Sequence, residues 1–384
     1  MIKNPKNSQL ESVIEQIQTP SYVCEEALLE ENLKRLHYVQ QKSGAKVLLA
    51  LKGFALQDTF YLIKQYLCGC TASGLYEAKL ARDAFDKEVH TYSPAFKESE
   101  IDEITKISNH IVFNSFSQWQ KFKPKVFGRI SCGIRVNPEV SSAPVALYDP
   151  CAKYSRLGVT QKAFKEELLD GLDGLHFHTL CEQNVDALEK VLEGFEKTFG
   201  KYISQMKWIN FGGGHHITRE DYDIERLIYV IKDFKKRHND ITVYLEPGEA
   251  IGWQSGVLVA SVLDIVENDM QIAILDTSAE AHMPDTLAMP YRAQIRGAGE
   301  PNEKTYAYRL AGNTCLAGDI IGDYSFDSPL KVGDKLIFED MIHYTIVKNT
   351  TFNGIKLPDL ALLKKDGSYK VLKHFGYEEY RRRN

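Results

Sequence analysis

The sequence predicts an α/β fold, a (β/α)8 TIM-type barrel, followed by a second, all-β domain. Three observations carry this prediction. Between residues 47 and 245, short apolar runs alternate with longer amphipathic stretches, the pattern of strand–helix units. Eight such runs occur, the number that closes a barrel. Beyond residue 250 the apolar runs follow one another directly, parted by turn signals such as Val332-Gly333-Asp334 and Asn353-Gly354, which indicates strands without intervening helices.

The barrel strands are expected at residues 47–51, 70–72, 89–92, 111–113, 133–136, 174–177, 207–211 and 243–245. Helices are expected over stretches such as 58–67, 76–85, 99–107, 186–203 and 222–237. Within 186–203, Leu188, Val191, Leu192 and Phe195 recur at helical spacing and mark the face laid on the sheet. The barrel is assigned to residues 25–250. The β domain is assigned to 251–384 with residues 1–24 contributing, and its strands to 256–266, 271–275, 306–310, 335–338, 344–348 and 369–373. No Pro/Gly/Ser linker separates the two, so close packing is expected.

A length of 384 residues, 43% apolar and 26% charged, is that of an ordinary globular chain with more than one core. The net charge of −5 argues weakly against nucleic acid, which wants a basic face, and suits a cationic small substrate. Seven cysteines, at 24, 68, 70, 132, 151, 181 and 315, are scattered and odd in number, so no disulfide framework is implied. Cys68 and Cys70 lack a second pair that would complete a zinc site, and no metal is expected. The first twenty residues mix Lys3, Lys6, Glu11 and Glu15 with polar residues and contain no apolar core of a secretory leader. The apolar run 256–266 is too short to cross a membrane. A cytoplasmic location with reduced thiols is expected.

Polar chemistry gathers at the C-terminal ends of the expected strands, where barrels place their reactive groups. The first strand closes on Leu51-Lys52-Gly53. A lysine there either reaches out to water or, with its pKa lowered by burial, serves as a nucleophilic amine. The sixth ends on His176-Phe177-His178, and alternation puts both imidazoles on one face. They read as a metal pair, or as one ring stacked on a planar cofactor and the other packed in the core. No nearby Asp/His set completes a metal site, so the pair is disfavoured. The seventh ends on Phe211-Gly212-Gly213-Gly214-His215-His216, a turn fit to bring backbone N–H groups to a phosphate. It is not a dinucleotide fingerprint. The eighth ends on Leu245-Glu246-Pro247-Gly248-Glu249. Glu246 would pair with a surface lysine or hold a proton on a ring nitrogen.

Lysine, histidine, glycine cup and glutamate in that order resemble the fold-type III pyridoxal-phosphate (PLP) enzymes, the alanine racemase and ornithine/diaminopimelate decarboxylase group, over nearly the whole chain. The resemblance implies PLP bound as a Schiff base to Lys52, the ring stacked on His178 and its nitrogen held by Glu246. It implies a phosphate site at Gly212, Gly213 and Gly214, with Tyr344 and Cys181 assisting. Glu246 matches the decarboxylases, because the racemases carry an arginine there. Gly312-Asn313-Thr314-Cys315 with Gly318-Asp319 resembles the decarboxylase loop whose cysteine protonates the product carbon, here Cys315. That loop serves the neighbouring subunit, so a homodimer is implied. His343-Tyr344-Thr345 followed by Phe352-Asn353-Gly354 resembles the segment that gives a tyrosine to the phosphate.

Within the group, the runs 49–55, 212–216, 246–250 and Ala281-His282-Met283-Pro284-Asp285 resemble the carboxynorspermidine/carboxyspermidine decarboxylases of polyamine biosynthesis. Glu249 stands where ornithine and diaminopimelate decarboxylases place a phosphate-binding arginine, and Leu316 where they place a substrate-binding acid. The resemblance implies that Glu249 and Asp285 take over as the carboxylates for a cationic tail. Thr179-Leu180-Cys181 departs from the family's usual Ile-Gly-Ser. Three rivals stand beside this reading. One is a decarboxylase of another basic amino acid, one a racemase, which Glu246 and the cysteine loop disfavour, and one a non-enzymatic PLP-binding barrel, which the β domain disfavours.

Overall fold

A computed structural model of the chain describes residues 9–140 and 146–384; Lys3 and Lys6 of the leader argument lie outside them. The chain divides into two compact units, Asn32–Ile251 and Met1–Glu31 with Gly252–Asn384. In chain order, β1 (Ser21–Glu25) belongs to the second unit. The next eight strands are β2 (Lys46–Ala50), β3 (Gly69–Ala72), β4 (Glu88–Tyr92), β5 (His110–Phe113), β6 (Ser131–Arg135), β7 (Gly174–His176), β8 (Trp208–Asn210) and β9 (Thr242–Leu245). They pair in sequence, all parallel, and β9 returns to β2 to close the barrel. Each overlaps the apolar run that predicted it.

The helices of this part are α1 (Glu26–Ser43), α2 (Phe60–Tyr66), α3 (Leu75–Leu80, continued by a π-helical turn, Ala81–Phe85), α4 (Ile101–Ile107), α5 (Phe116–Val126), α6 (Val185–Ile203) and α7 (Ile224–Arg237), with the short α8 (Glu249–Gly252) after β9. In α6 the buried face includes Leu188, Val191, Leu192 and Phe195, the stripe read from the sequence. Among the described residues, the link from β6 to β7 holds 3-10 turns and no α-helix.

Side chains of one parity fill the barrel interior, because alternate residues of a strand face opposite sides. Leu48, Val112, Trp208 and Tyr244 cluster there. Trp208 takes its space from two neighbouring strands: a Cβ at Gly133 or Gly174 would lie 2.3 or 2.1 Å from the indole. At the strand starts, Glu88 accepts hydrogen bonds from Lys46 and Tyr244, at 3.0 and 2.7 Å, and lies 3.0 Å from His90 Nε2. His90 and His110 stack with centroids 3.9 Å apart. A barrel's strand bases ordinarily carry stability while its opposite rim carries chemistry.

The second unit is a mixed sheet of β1, β10 (Gly256–Glu267), β11 (Gln271–Leu275), β12 (Tyr306–Ala311), β13 (Ile320–Phe326), β14 (Lys335–Glu339), β15 (Asp359–Leu363) and β16 (Tyr369–Lys373). Its order is β13-β12-β11-β10-β1-β15-β16, with β14 also on β10. Strand β10 pairs with β1 and β14 in its first half and, past an irregularity between Val262 and Asp264, with β11 in its second. Val257 and Val259 enter one apolar core, while Leu258, Ala260 and Val262 enter the other. Burial on both faces explains why this strand reads as an unbroken apolar run.

One expected strand is a helix. The sequence predicts a strand over 344–348, yet Tyr344–Lys348 forms the short α11, which follows α9 (Ala279–His282) and α10 (Asp285–Ala288) in chain order. Ile346 N–H closes a turn on His343 O at 2.9 Å. Thr345 is buried and Val347 exposed, without the alternation that a strand needs, so tertiary context overrides β propensity. Strands β1, β13 and β15 carry no expectation from the sequence: β1 is a short run ahead of the barrel, Gly322-Asp323 interrupts β13, and β15 is a five-residue run behind Pro358. A last short helix, α12 (Tyr377–Arg383), follows β16.

Candidate active site

The barrel opens at its strand ends into a cavity lined by Ala50, Lys52, Thr71, Tyr92, Arg135, Arg156, His176, His178 and Glu246, among others. Lys52, His178 and Glu246 therefore share one cavity. Lys52 follows Leu48 and Ala50 at inward parity, and the turn after β2 is pressed against the one after β9. Ala50 N–H donates to Pro247 O at 2.9 Å, and a Cβ on Gly53 would lie 2.9 Å from Gly248 Cα. Glycine at 53 is thus a condition for holding Lys52 beside the Glu246 turn.

The protonation pattern of the Lys52–His178 pair follows from geometry. Gly213 N–H donates to His178 Nδ1 at 2.7 Å, and Lys52 Nζ lies 3.4 Å from Nε2. A backbone N–H can only donate, so Nδ1 bears no hydrogen and the ring is neutral with its proton on Nε2. That N–H meets Lys52, whose amine can accept only when uncharged. Removal from bulk water, then the Arg135 guanidinium, hold the Lys52 pKa below the ordinary lysine range, although its side chain opens to the cavity. Burial, then Lys52, hold His178 well below the usual imidazole value.

Glu246 is 8% exposed and fixed from two sides. Asn210, fully buried, donates from Nδ2 to Glu246 Oε1 at 2.7 Å and accepts at Oδ1 from Gly212 N–H at 2.8 Å. His176 Nε2 lies 3.5 Å from Glu246 Oε2. Glu246 N–H in turn donates to Gly212 O at 2.8 Å, so the glycine turn and the carboxylate are bound together. The N–H groups of Gly212 and Gly213 are both engaged by side chains. What these glycines supply is also clearance, since a Cβ at 213 would lie 2.3 Å from Glu246 O and one at 214 only 2.0 Å from Leu180 O.

Glu249, at the start of α8, lies 3.8 Å from His216 Nε2. Glu182, His216 and Glu249 turn ligand-type atoms toward one another within 4.8 Å. The neighbouring Cys181 thiol is pushed up to about 11 by burial first, then by Glu182 and Glu249. A thiol with that pKa is uncharged at neutral pH.

The remaining expected site residues lie in the second unit. Cys315 is exposed, its N–H held by Asn353 Oδ1 at 2.7 Å. Its loop is organised by buried Asp319, which accepts from Thr314 Oγ1 at 2.6 Å, Ser278 Oγ at 2.9 Å and Ala279 N at 2.8 Å. A Cβ on Gly312 would lie 2.2 Å from Asp319 Oδ2. Tyr344 begins α11 and is half-buried. Asp285 is paired with Lys348 at 2.5 Å, so its charge is shared within its own unit. All seven cysteines are free thiols.

Residues 21–342 match the family described as pyridoxal-dependent decarboxylase, C-terminal sheet domain. The chain belongs to the pyridoxal-dependent decarboxylases. It is 55% identical over 381 residues to a carboxynorspermidine/carboxyspermidine decarboxylase of Campylobacter jejuni, covering 96% of this chain and 99% of that one. It is 45% identical over 385 residues to a carboxyaminopropylagmatine decarboxylase of Synechocystis, covering 100% and 98%. The crystal structure of carboxynorspermidine decarboxylase from Campylobacter jejuni complexed with norspermidine superimposes with a TM-score of 0.91, at 54% identity, covering 96% of this chain and all of that one.

The decarboxylase's own residues fit PLP, the family's cofactor. The cavity sets an amine with a lowered pKa and a carboxylate on one wall system, the two groups that an aldehyde and a ring nitrogen require. Buried His176 lines the same cavity, and neither of its ring nitrogens has a hydrogen-bond partner among the described residues. Among the described residues, two His/Glu groupings are close enough to converge on a cation, and neither includes His176 or His178.

Two polar residues that brace His178 and Glu246 are not among the candidates read from the sequence, and only the first of them lines the cavity. Arg135 is buried, donates to His178 O at 2.9 Å and lies 4.8 Å from the centre of the Tyr92 ring. Asn210 is the other. Both are single polar residues at inward positions of apolar strand ends, Arg135 in β6 and Asn210 two residues before Gly212. That parity was the signal that could have found them.

Proposed function

We propose that this decarboxylase removes the α-carboxylate of carboxynorspermidine, carboxyspermidine or both, releasing norspermidine or spermidine and CO2 in polyamine biosynthesis. The observation that carries the reading is the shared cavity of Lys52, His178 and Glu246, in a chain 55% identical to a carboxynorspermidine/carboxyspermidine decarboxylase over nearly its whole length.

PLP, when bound, supplies the electron sink that stabilises negative charge at the substrate's α-carbon. Lys52 would hold the cofactor through its amine and would yield that place to the substrate's α-amine. Its lowered pKa leaves more of that amine uncharged and nucleophilic. His178 would support the ring, its tautomer set by Gly213 N–H. Glu246 keeps a proton on the ring nitrogen through a charge-assisted hydrogen bond. Gly212, Gly213 and Gly214 shape the phosphate end, assisted by Tyr344 and Cys181. Cys315, from a neighbouring subunit of a homodimer, returns a proton to the α-carbon once CO2 has left. Glu249, beside Glu182, faces the cationic tail; Asp285 serves it as well, in competition with Lys348. A cytoplasmic location completes the reading.

A second reading has a specific observation in its favour: the carboxyaminopropylagmatine decarboxylase that is 45% identical along the full chain. A guanidinium tail would engage paired carboxylates through its planar donors. Incubation of the PLP-loaded enzyme with carboxynorspermidine, carboxyspermidine and carboxyaminopropylagmatine, with products separated, discriminates the readings. Norspermidine or spermidine as the faster product is expected. Faster turnover of the guanidine substrate supports the second reading, and no CO2 from any of the three overturns both.

A further inference from the structure

Part of the lining of the Lys52–Glu246 cavity, with Asn210 behind it, is polar, which is unusual for the inside of a barrel. Arg135, His176 and Asn210 are register partners across β6, β7 and β8 and share the inward parity. His176 is 2% exposed, and both its ring nitrogens lack hydrogen-bond partners among the described residues. A buried polar atom without a partner is costly, so a residue kept in that state beside a cavity points to a contact made when the site is loaded. The candidate contact is already close: Nε2 lies 3.5 Å from Glu246 Oε2, and Tyr92 packs edge-on against the ring with centroids 5.6 Å apart.

The orientation of Asn210 is forced. Gly212 N–H can only donate, so the atom it meets is the amide oxygen, and the NH2 end is the one that faces Glu246. Glu246 Oε1 must therefore accept. A neutral imidazole carrying its proton on Nε2 would place a second donor against Oε2. With both oxygens engaged from below, the carboxyl plane is fixed, and a lone pair is left for an N–H of a ring above it.

We infer that His176 and Asn210 are positioning residues that clamp the Glu246 carboxylate in the orientation in which it accepts a hydrogen bond, and that Asn210 couples this clamp to the glycine turn at Gly212. The inference rests on the reading that Glu246 serves the cofactor's ring nitrogen, and assigns the second histidine of the H-x-H pair a role that neither metal binding nor core packing describes. His176→Leu and Asn210→Leu remove a donor while keeping bulk; His176→Asn restores an N–H.

The test measures PLP affinity of the apoenzyme by absorbance titration, with kcat and KM of the loaded enzyme. Each Leu variant is expected to weaken PLP binding by about 10- to 100-fold, the range for a hydrogen bond to a charged group, and to lower kcat with KM nearly unchanged. His176→Asn is expected to recover most of both. A purely packing role for His176 gives the opposite order, with Leu tolerated and Asn damaging, and that result overturns the inference. Should the Leu variants fail to fold, 15N NMR of wild-type holoenzyme decides: a His176 proton on Nε2 is expected, and one on Nδ1 overturns the clamp. Glu246→Gln, measured in parallel, separates the two levels. If it leaves affinity and turnover intact, the reading of Glu246 itself falls. If it impairs both while the Leu variants match wild type, only the clamp falls.

Discussion

His178 Nε2 lies 3.4 Å from Lys52 Nζ while Gly213 N–H occupies the other ring nitrogen, so one backbone amide sets the protonation of the pair. The arrangement favours an uncharged lysine, and the Arg135 guanidinium adds to it. Replacing Arg135 by Met removes a positive charge, so the Lys52 ammonium becomes easier to keep and its pKa rises. The rate of PLP uptake by the apoenzyme at neutral pH is expected to fall several-fold, with its pH profile displaced to higher pH. Because His178 O also loses a donor, destabilisation of about 1–3 kcal/mol is expected in a melting experiment.

Acid should weaken the barrel at its base. Burial alone would raise the Glu88 carboxyl, but hydrogen bonding and charge from His90, with bonds from Tyr244 and Lys46, outweigh it and hold the group well below the carboxylate range. A depressed carboxylate contributes stability above its unfolded pKa that is lost as pH falls toward the folded value. Burial, then His90, lower His110 to about 2. The unfolded chain takes up that imidazole's proton below about pH 6.5 while the folded chain does not, which also favours unfolding. Melting temperature is expected to fall steadily from pH 6.5 to 4, and His110→Phe should flatten the upper part of that slope.

Asp319 gathers donors from Ser278, Ala279, Glu280 and Thr314 around one buried carboxylate. Asparagine there would turn an NH2 toward donors. Asp319→Asn is expected to lose about 2 kcal/mol of stability, a few hydrogen bonds' worth, and to lower kcat more than it changes KM. Denaturant melts with steady-state kinetics check this; full activity would remove the loop from the reaction.

Gly174 leaves no room for a side chain, because a Cβ would lie 2.1 Å from Trp208. Gly174→Ala should cost about 1–3 kcal/mol, as overpacking does, and Trp208→Phe in the same chain should restore part of it. Tryptophan fluorescence and thermal melts of the single and double variants measure the exchange.

Much of this was legible in the sequence because a barrel strand is a short apolar run and its mouth residues follow by alternation. Lys52, His178 and Glu246 stand just past such runs. For Arg135 and Asn210 parity shows only that they face inward; what they hold does not show, since their partners lie 43 and 36 positions away along the chain. The pairing of Asp285 with Lys348 spans 63 positions, so composition around Asp285 shows only an acid. The 344–348 segment misled because β-branched residues favour strands only where a neighbour strand is there to pair.

The claim on which the rest depends is that the Lys52 amine takes the cofactor's aldehyde. Borohydride reduction of the PLP-loaded enzyme, followed by proteolysis and mass spectrometry, tests it directly. A phosphopyridoxyl group on Lys52 is expected, absent from Lys52→Ala. The same group on a different lysine, or none on Lys52 in an enzyme that still releases CO2, would contradict it.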